Sequence, residues 1–342
     1  ILAWAFEMTP EGIKLDSEVP DDESGGNAQT PQNLRQAKAA WPTKLWKIAV
    51  SILLVVALFV AGGFYYRSHH GEPLTDKDTI VLADFTNTTG DPVFNGTLRQ
   101  GLSAQLEQTP FLTLISDSRI AHTLALMSQP KDVRFTPELV RAVGERIGSA
   151  ATIEGSISAL GSQYVIGLQA VDCRSGNLLA QEQATANGKE QVLKALGEAA
   201  TSLRQKLGES LASVQKYDAL PEDTTTSSLE ALQAYSLGMK AFDVTNDFLA
   251  AIPFFQRAVS LDPKFAMAYL GLAQSYQPQG ELTVAAENAR KAYELRDRTS
   301  DHEKLNISGF YEIVVTGNLE AAQRADELLA KTYPRDEMPE LY

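Results

Sequence analysis

The chain has 342 residues, of which 44% are hydrophobic and 21% charged, and its formal net charge is -13. That composition implies folded domains, two or slightly more by length. The acidic balance excludes a broad nucleic-acid surface, which needs clustered Lys and Arg. A lone cysteine, Cys173, excludes an intramolecular disulfide.

Residues 1–44 are expected to be a disordered cytoplasmic linker or the remnant of a truncated domain. Asp16 to Pro31 is rich in Asp, Glu, Ser, Gly, Asn and Pro, too polar to offset the entropy of ordering the chain. A first residue of Ile1 rather than methionine suggests a piece of a longer product.

Ile48 to Phe64 carries no charge, with Trp46 in front and Tyr65 and Tyr66 behind. The run approaches the roughly 20 residues needed to cross a bilayer, and its flanking aromatics suit the interfaces. A transmembrane helix is therefore predicted over 45–67. A signal peptide is disfavoured, because no small-x-small cleavage site follows before Tyr65. Arg35, Lys38, Lys44 and Lys47 precede the span, whereas only Arg67 and Lys77 follow closely. That asymmetry predicts a single pass of the inner membrane, N-terminus cytoplasmic and later domains extracytoplasmic.

Residues 78–215 read as a small α/β, sandwich-like domain. Thr79 to Phe85 is a β-branched apolar run that ends in the turn-forming segment from Asn87 to Pro92, as a buried strand would. Leu98, Leu102 and Leu106 repeat at helical spacing, and Phe111 to Ile115 reads as a second strand. Two short helices should follow, the second capped by Thr136 with Pro137 in its first turn. Runs at 151–159, 164–172 and 178–185, separated by turn chemistry, predict a β-meander. One long helix over about 189–214 is predicted to close the domain, with Val192, Leu196, Leu203, Leu207 and Leu211 inward.

Helical periodicity takes over at 227–342, after a Pro/Thr/Ser linker. The period of about 34 residues, with small and aromatic residues at fixed places, marks tetratricopeptide repeats, an all-α array of helical hairpins. With Ala266 as position one, Tyr269, Leu272, Ala273 and Tyr276 take the first-helix packing places. Ala285, Ala289 and Ala292 take those of the second helix. The preceding unit supplies Ala251, Phe255, Ala258 and Pro263 at matching second-helix places, but its first helix is one residue out of phase, because Leu237-Gly238 falls early; a longer turn near Val244–Asp247 would absorb this. The third unit has a longer first helix. No polar capping helix closes the array by Tyr342, so further repeats could follow. Met267, Leu270 and Gln274, with Gln233 and Lys240 from the unit before, are the candidate residues of a groove for a protein or peptide partner. The bland alternative is that they are solvated surface positions. The fold class is thus α+β and multidomain: one membrane helix, an α/β domain, then repeats.

The wording of three stretches resembles a known family. TIVLADFTNTTGDPVF, LRQGLSAQLEQTPFLTLISD and SAATIEGSISALGSQYVIGLQAVDCRSGNLLA look like the small α/β domain of TolB-amino-terminal or CsgG-like type. Together with GGFYYRSHH and LGESLASVQKYD they are similar to the extracytoplasmic region of acidobacterial-type, eukaryotic-like serine/threonine kinases. The resemblance implies a non-catalytic sensor and protein-interaction region, with any kinase domain upstream of Ile1. A CadC-type membrane-bound transcription regulator and an envelope assembly scaffold are the alternatives, and a homodimer is a further expected partnership.

Chemistry within the chain is thin. His302-Glu303 opens like a zinc-protease motif, but Asn306 occupies the second ligand's place. No phosphate loop, nucleophile elbow or kinase motif set occurs. His69-His70 reads as a juxtamembrane spacer, and Cys173 as a buried bystander. Asp84 and Asp172 both end apolar strands, but nothing in the sequence places them together. No catalytic, metal or cofactor residue is assigned.

Overall fold

The computed structural model describes residues 53–57, 74–130, 133–219 and 225–335. It divides into two units, 1–60 and 61–342. Of the predicted span 45–67, residues 53–57 are helical, with Leu53, Leu54, Val55 and Val56 exposed; the remainder lies outside the described residues, as do 1–44 and His69-His70. Among the described residues no helix is long and apolar enough to cross a membrane.

The α/β module is built on one mixed sheet in the order β3-β1-β4-β5-β6: β1 Thr79–Leu82, β3 Thr113–Leu114, β4 Ala151–Leu160, β5 Gln163–Asp172 and β6 Leu178–Ala186. A short β2, Thr86–Asn87, runs parallel to β4 beyond the end of β1. β3, β1 and β4 are parallel; β4, β5 and β6 form the predicted antiparallel meander. The parallel half needs crossovers. Helix α1, Thr97–Glu107, makes the first; α2, Asp117–Leu126, and α3, Pro137–Ile147, make the second. As expected, the Thr136 hydroxyl caps α3 by accepting from the Leu139 amide.

The closing helix departs from expectation. The predicted single helix breaks at Gly208, which adopts φ 115, giving α4, Val192–Leu207, and α5, Leu211–Lys216. Glycine takes such a left-handed conformation at a helix end with the least strain. Leu211, expected inward, is therefore exposed. The break places Glu209 beside Arg204: the guanidinium Nε lies 3.1 Å from the carboxylate, both side chains sealed from solvent.

One sheet face packs against α1 and α4, and over β1 and β4 the other face carries α2 and α3. Beyond α3 the outer face, with Gln169, Gln181, Gln183 and Thr185, is open to solvent. Lys206 from α4 reaches around the outer strand β6, donating to the Gln181 carbonyl and pairing with Glu182 at 2.6 Å.

Three hairpins follow: α6 Leu229–Met239 with α7 Phe248–Leu261, α8 Ala266–Tyr276 with α9 Leu282–Leu295, and α10 Asp301–Tyr311 with α11 Leu319–Thr332. The Phe255 ring of α7 lies against Gly238 of α6 and Gly271 of α8; a β-carbon at either glycine would meet the ring at 2.6 or 2.8 Å. Small residues at these places bring successive first helices onto one aromatic. The out-of-phase residue of the first unit is absorbed earlier than the expected turn, in a π-helical stretch at Lys240–Val244. A π-turn fits one extra residue into a helix without breaking it. The third unit repeats the device at Glu312–Thr316, which accounts for its longer first helix.

Module and repeats share one apolar core. Gly101 of α1 is where the side chains of Leu193 and Leu196 from α4 and Leu232 from α6 converge, with Leu196 and Leu232 each 3.3 Å from where a β-carbon would stand.

Candidate functional site

The five groove candidates do not share one open surface. Leu270 is a core residue, 1% exposed, packed with Ala273, Ala289, Ile307 and Phe310. Its helix position faces the next hairpin, and the alanines around it let α10 close in. Gln233 is already engaged, donating from Nε2 to the Pro92 carbonyl of the module at 3.2 Å. Lys240 is exposed at the start of the first π-turn, and Met267 and Gln274 are half-buried. These three are the surface candidates that remain.

The structure instead concentrates polar side chains where module and repeats meet. Lys189 bridges Asp91, at 3.0 Å, and Glu230 of α6, at 3.2 Å. The Ser236 hydroxyl lies 3.8 Å from where a β-carbon on Gly96 would stand. At the far end of α1, the Tyr333 hydroxyl donates to the Gln108 carbonyl at 3.0 Å, and Arg335 donates to the Lys77 carbonyl. The Thr109 hydroxyl donates to Glu209 at 2.6 Å, tying the α1–β3 turn to the buried Arg204 pair. Burial pulls the Arg204 pKa down, against the attraction of Glu209 and Asp218.

Between that turn and the end of the third hairpin lies a small cleft of about 40 Å³ that opens to solvent. Its walls carry the acidic Asp76 and Glu107, the basic Arg335, and His302. Leu112 and Leu114 line its sheet side. His302 and Tyr333 meet edge to face, ring centroids 4.8 Å apart.

Behind the cleft the electrostatics are unusual. Glu303 of α10 closes a capping box, accepting from the Ser300 amide and hydroxyl, each at 3.1 Å. Burial nevertheless pushes its carboxyl up to about 7, with Glu107 adding to the rise while Ser300 and His302 oppose it. Asp243, in the first π-turn, is also pushed to about 7, by burial first and then by Asp117 and Glu107. Buried Tyr235 feels Glu303, Asp243 and Glu107, and its hydroxyl is raised well above the ordinary value, chiefly by burial. Carboxylates from α1, α2, the π-turn and α10 therefore converge on one seam. The sequence signalled little of this. Ser300-x-x-Glu303 is legible as a capping box, but nothing local brings Glu107 or Asp243 near it.

The remaining motifs are structural. Asp84 lies 3.7 Å from the Arg99 Nε and accepts from the Phe135 amide at 2.9 Å. Arg99 grips Asp117 with both terminal nitrogens, at 2.7 and 2.5 Å. Burial opposes the Arg99 charge, but Asp117 and Asp84 outweigh it and hold the guanidinium protonated. Asp172 caps a turn through Ser175, so the two strand-end carboxylates serve separate purposes. Cys173 is 1% exposed, and burial pushes its thiol up to about 12. Among the described residues no group of three or more His, Cys, Asp or Glu is placed to hold a metal.

No protein-family model matches the chain, and no curated protein is significantly similar. Some solved structures are weakly similar. The C-terminal domain of LpoB from Salmonella enterica is 12% identical, covering 34% of this chain and 87% of that one, TM-score 0.31. Lipoprotein GNA1162 from Neisseria meningitidis is 14% identical over 39% of this chain and 98% of that one, TM-score 0.29. MamA protein is 22% identical over 45% of this chain and 78% of that one, TM-score 0.23. Similarity at this level decides nothing about activity.

Proposed function

We propose that the chain is the non-catalytic sensing and protein-interaction region of a single-pass membrane signalling protein. The observation that carries this reading is the fusion of module and repeats through one core at Gly101, Leu196 and Leu232, with Lys240, Met267 and Gln274 left at the surface. Rigid helical arrays of this kind offer side chains at fixed spacing, which suits recognition of a protein segment. Asp84 and Asp117 are tied to Arg99, Asp172 to a turn and Glu303 to a helix cap.

The resemblance in the module and juxtamembrane wording supports a serine/threonine receptor kinase as the parent protein, and the predicted helix at 45–67 supports its anchor. The sequence encoded upstream of Ile1 tests the first: glycine-rich loop, H-R-D and D-F-G support the kinase, whereas a basic winged helix favours the CadC-type regulator. Carbonate extraction of membranes tests the second, with retention in the pellet expected.

Partner binding is tested with photo-crosslinking residues at Lys240, Gln274 and the outward Arg290 of α9. One identified protein joined at Lys240 and Gln274 but not Arg290 supports the reading. The same products at all three positions, or none at any, would overturn it.

A further inference from the structure

The second helix of each hairpin begins in the same way. Asn246, Gly280 and Gly317 take left-handed backbone, at φ 54, 79 and 68, and turn the chain from one helix into the next. Phe248, Leu282 and Leu319 each stand three residues before a buried alanine, Ala251, Ala285 and Ala322. Phe248 is half-buried against Phe242, ring centroids 4.9 Å apart, and its neighbour Leu249 is left outermost. Leu249, Leu282 and Leu319 are 62%, 62% and 69% exposed.

Hairpins of an array stack side by side, so the turns within them fall along one edge. Single exposed leucines are ordinary on a protein surface; one at every such turn makes an apolar row. Pro253, exposed one helical turn beyond Leu249, adds to it. Having no N–H, the proline leaves the Leu249 carbonyl without its helical donor.

The charges around the row select its occupant. Asp247, Glu281 and Glu320 are exposed beside the three leucines, and Asp243 and Glu312 stand in the turns before them. Among the described residues of the three turns, 240–247, 277–281 and 312–318, Lys240 is the one base. A second copy laid row to row would set carboxylate against carboxylate, which like-charge repulsion disfavours. Anionic lipid headgroups would be repelled in the same way. A helix whose apolar stripe is bordered by Lys and Arg complements both the row and its charges.

We propose that this edge of the array docks a basic amphipathic helix of a partner protein. The apolar stripe of that helix covers Leu249, Leu282 and Leu319, and its lysines or arginines pair with Asp247, Glu281 and Glu320. The row is built from the second helices and their turns, whereas Met267 and Gln274 belong to α8, so either surface can fail while the other survives.

Fluorescence anisotropy tests it with the full chain in nanodiscs of neutral lipid, empty nanodiscs as the baseline, and labelled helical peptides of Leu with Lys or Leu with Glu. Saturable binding of the Leu/Lys peptide is expected, and none of the Leu/Glu peptide. Leu282→Ser combined with Leu319→Ser should weaken binding about tenfold or more. Glu281→Gln combined with Glu320→Gln should weaken it and flatten its dependence on salt. All four side chains are exposed, so both variants should melt at the wild-type temperature, which separates lost docking from lost folding. Equal affinity of the wild type and the leucine variant, equal affinity for the two peptides, or no saturable binding would overturn the proposal. So would self-association of the chain, or attachment to anionic vesicles, that the leucine variant loses.

Discussion

Cys173 and Gly144 show how little room some positions have. A β-carbon on Gly144 would stand 2.5 Å from the Cys173 sulfur. Gly144→Ala should therefore cost about 1–3 kcal/mol, the usual range for overpacking a core, read as a loss of denaturation midpoint. With its thiol pushed up to about 12, Cys173 should stay unreactive towards a thiol reagent in the folded chain and react only with denaturant present; labelling of the native chain at the denatured rate would contradict this. The Arg204–Glu209 pair lies deeper still. Removing one partner of a buried pair leaves the other charge uncompensated, at roughly 3–5 kcal/mol. Glu209→Ala should approach that loss in chemical denaturation, since Thr109 and Ser213 lose their acceptor as well.

At the scale of elements, the meander, the capped α3 and the helical hairpins were legible because each depends on local signals: alternation, turn residues, a cap with proline, small residues at a fixed period. The long closing helix was misread at Gly208, since the stripe through Leu207 to Leu211 continues across a glycine whose left-handed conformation appears only in the fold. Leu270 was misread for a related reason. Repeat phase places it on the inner side of its helix, but the closeness of α10 depends on alanines in other helices. The π-turns were half legible: the sequence shows a residue too many near Gly238, without showing where it is accommodated. The cleft beside the α1–β3 turn was not legible at all, because its lining comes from a loop, α1, α10 and the segment after α11. Phe255→Ala should be among the costliest single changes in the array, about 3–5 kcal/mol, because the ring fills the gap left by Gly238 and Gly271 together.

Across the whole molecule, the acidic seam between module and repeats couples stability to pH. Glu303 and Asp243 have folded pKa values of about 7, raised above the ordinary carboxylate range. Raised carboxyl values mean that the folded chain holds protons the unfolded chain has released. Their stabilising contribution is complete below the ordinary values and is lost as pH rises through about 7. Melting temperature should thus fall between about pH 5 and pH 8, and Glu303→Gln or Asp243→Asn should flatten the decline. An unchanged slope in both variants would assign the decline to other groups. Glu107, Asp117, Tyr235 and His302 face these two carboxyls from α1, α2, α6 and α10, so the effect belongs to the seam rather than to one hairpin.

The three-way contact at Gly101 has a consequence for anyone recombining such chains. Repeat arrays are commonly treated as cassettes, moved between proteins at a linker. Here the first hairpin brings Leu232 into the neighbouring module's interior, opposite Leu193 and Leu196. Transplanting the array without α1 and α4 would leave an oily socket on each fragment, and such chimeras should go to inclusion bodies unless the graft boundary is drawn upstream of β1.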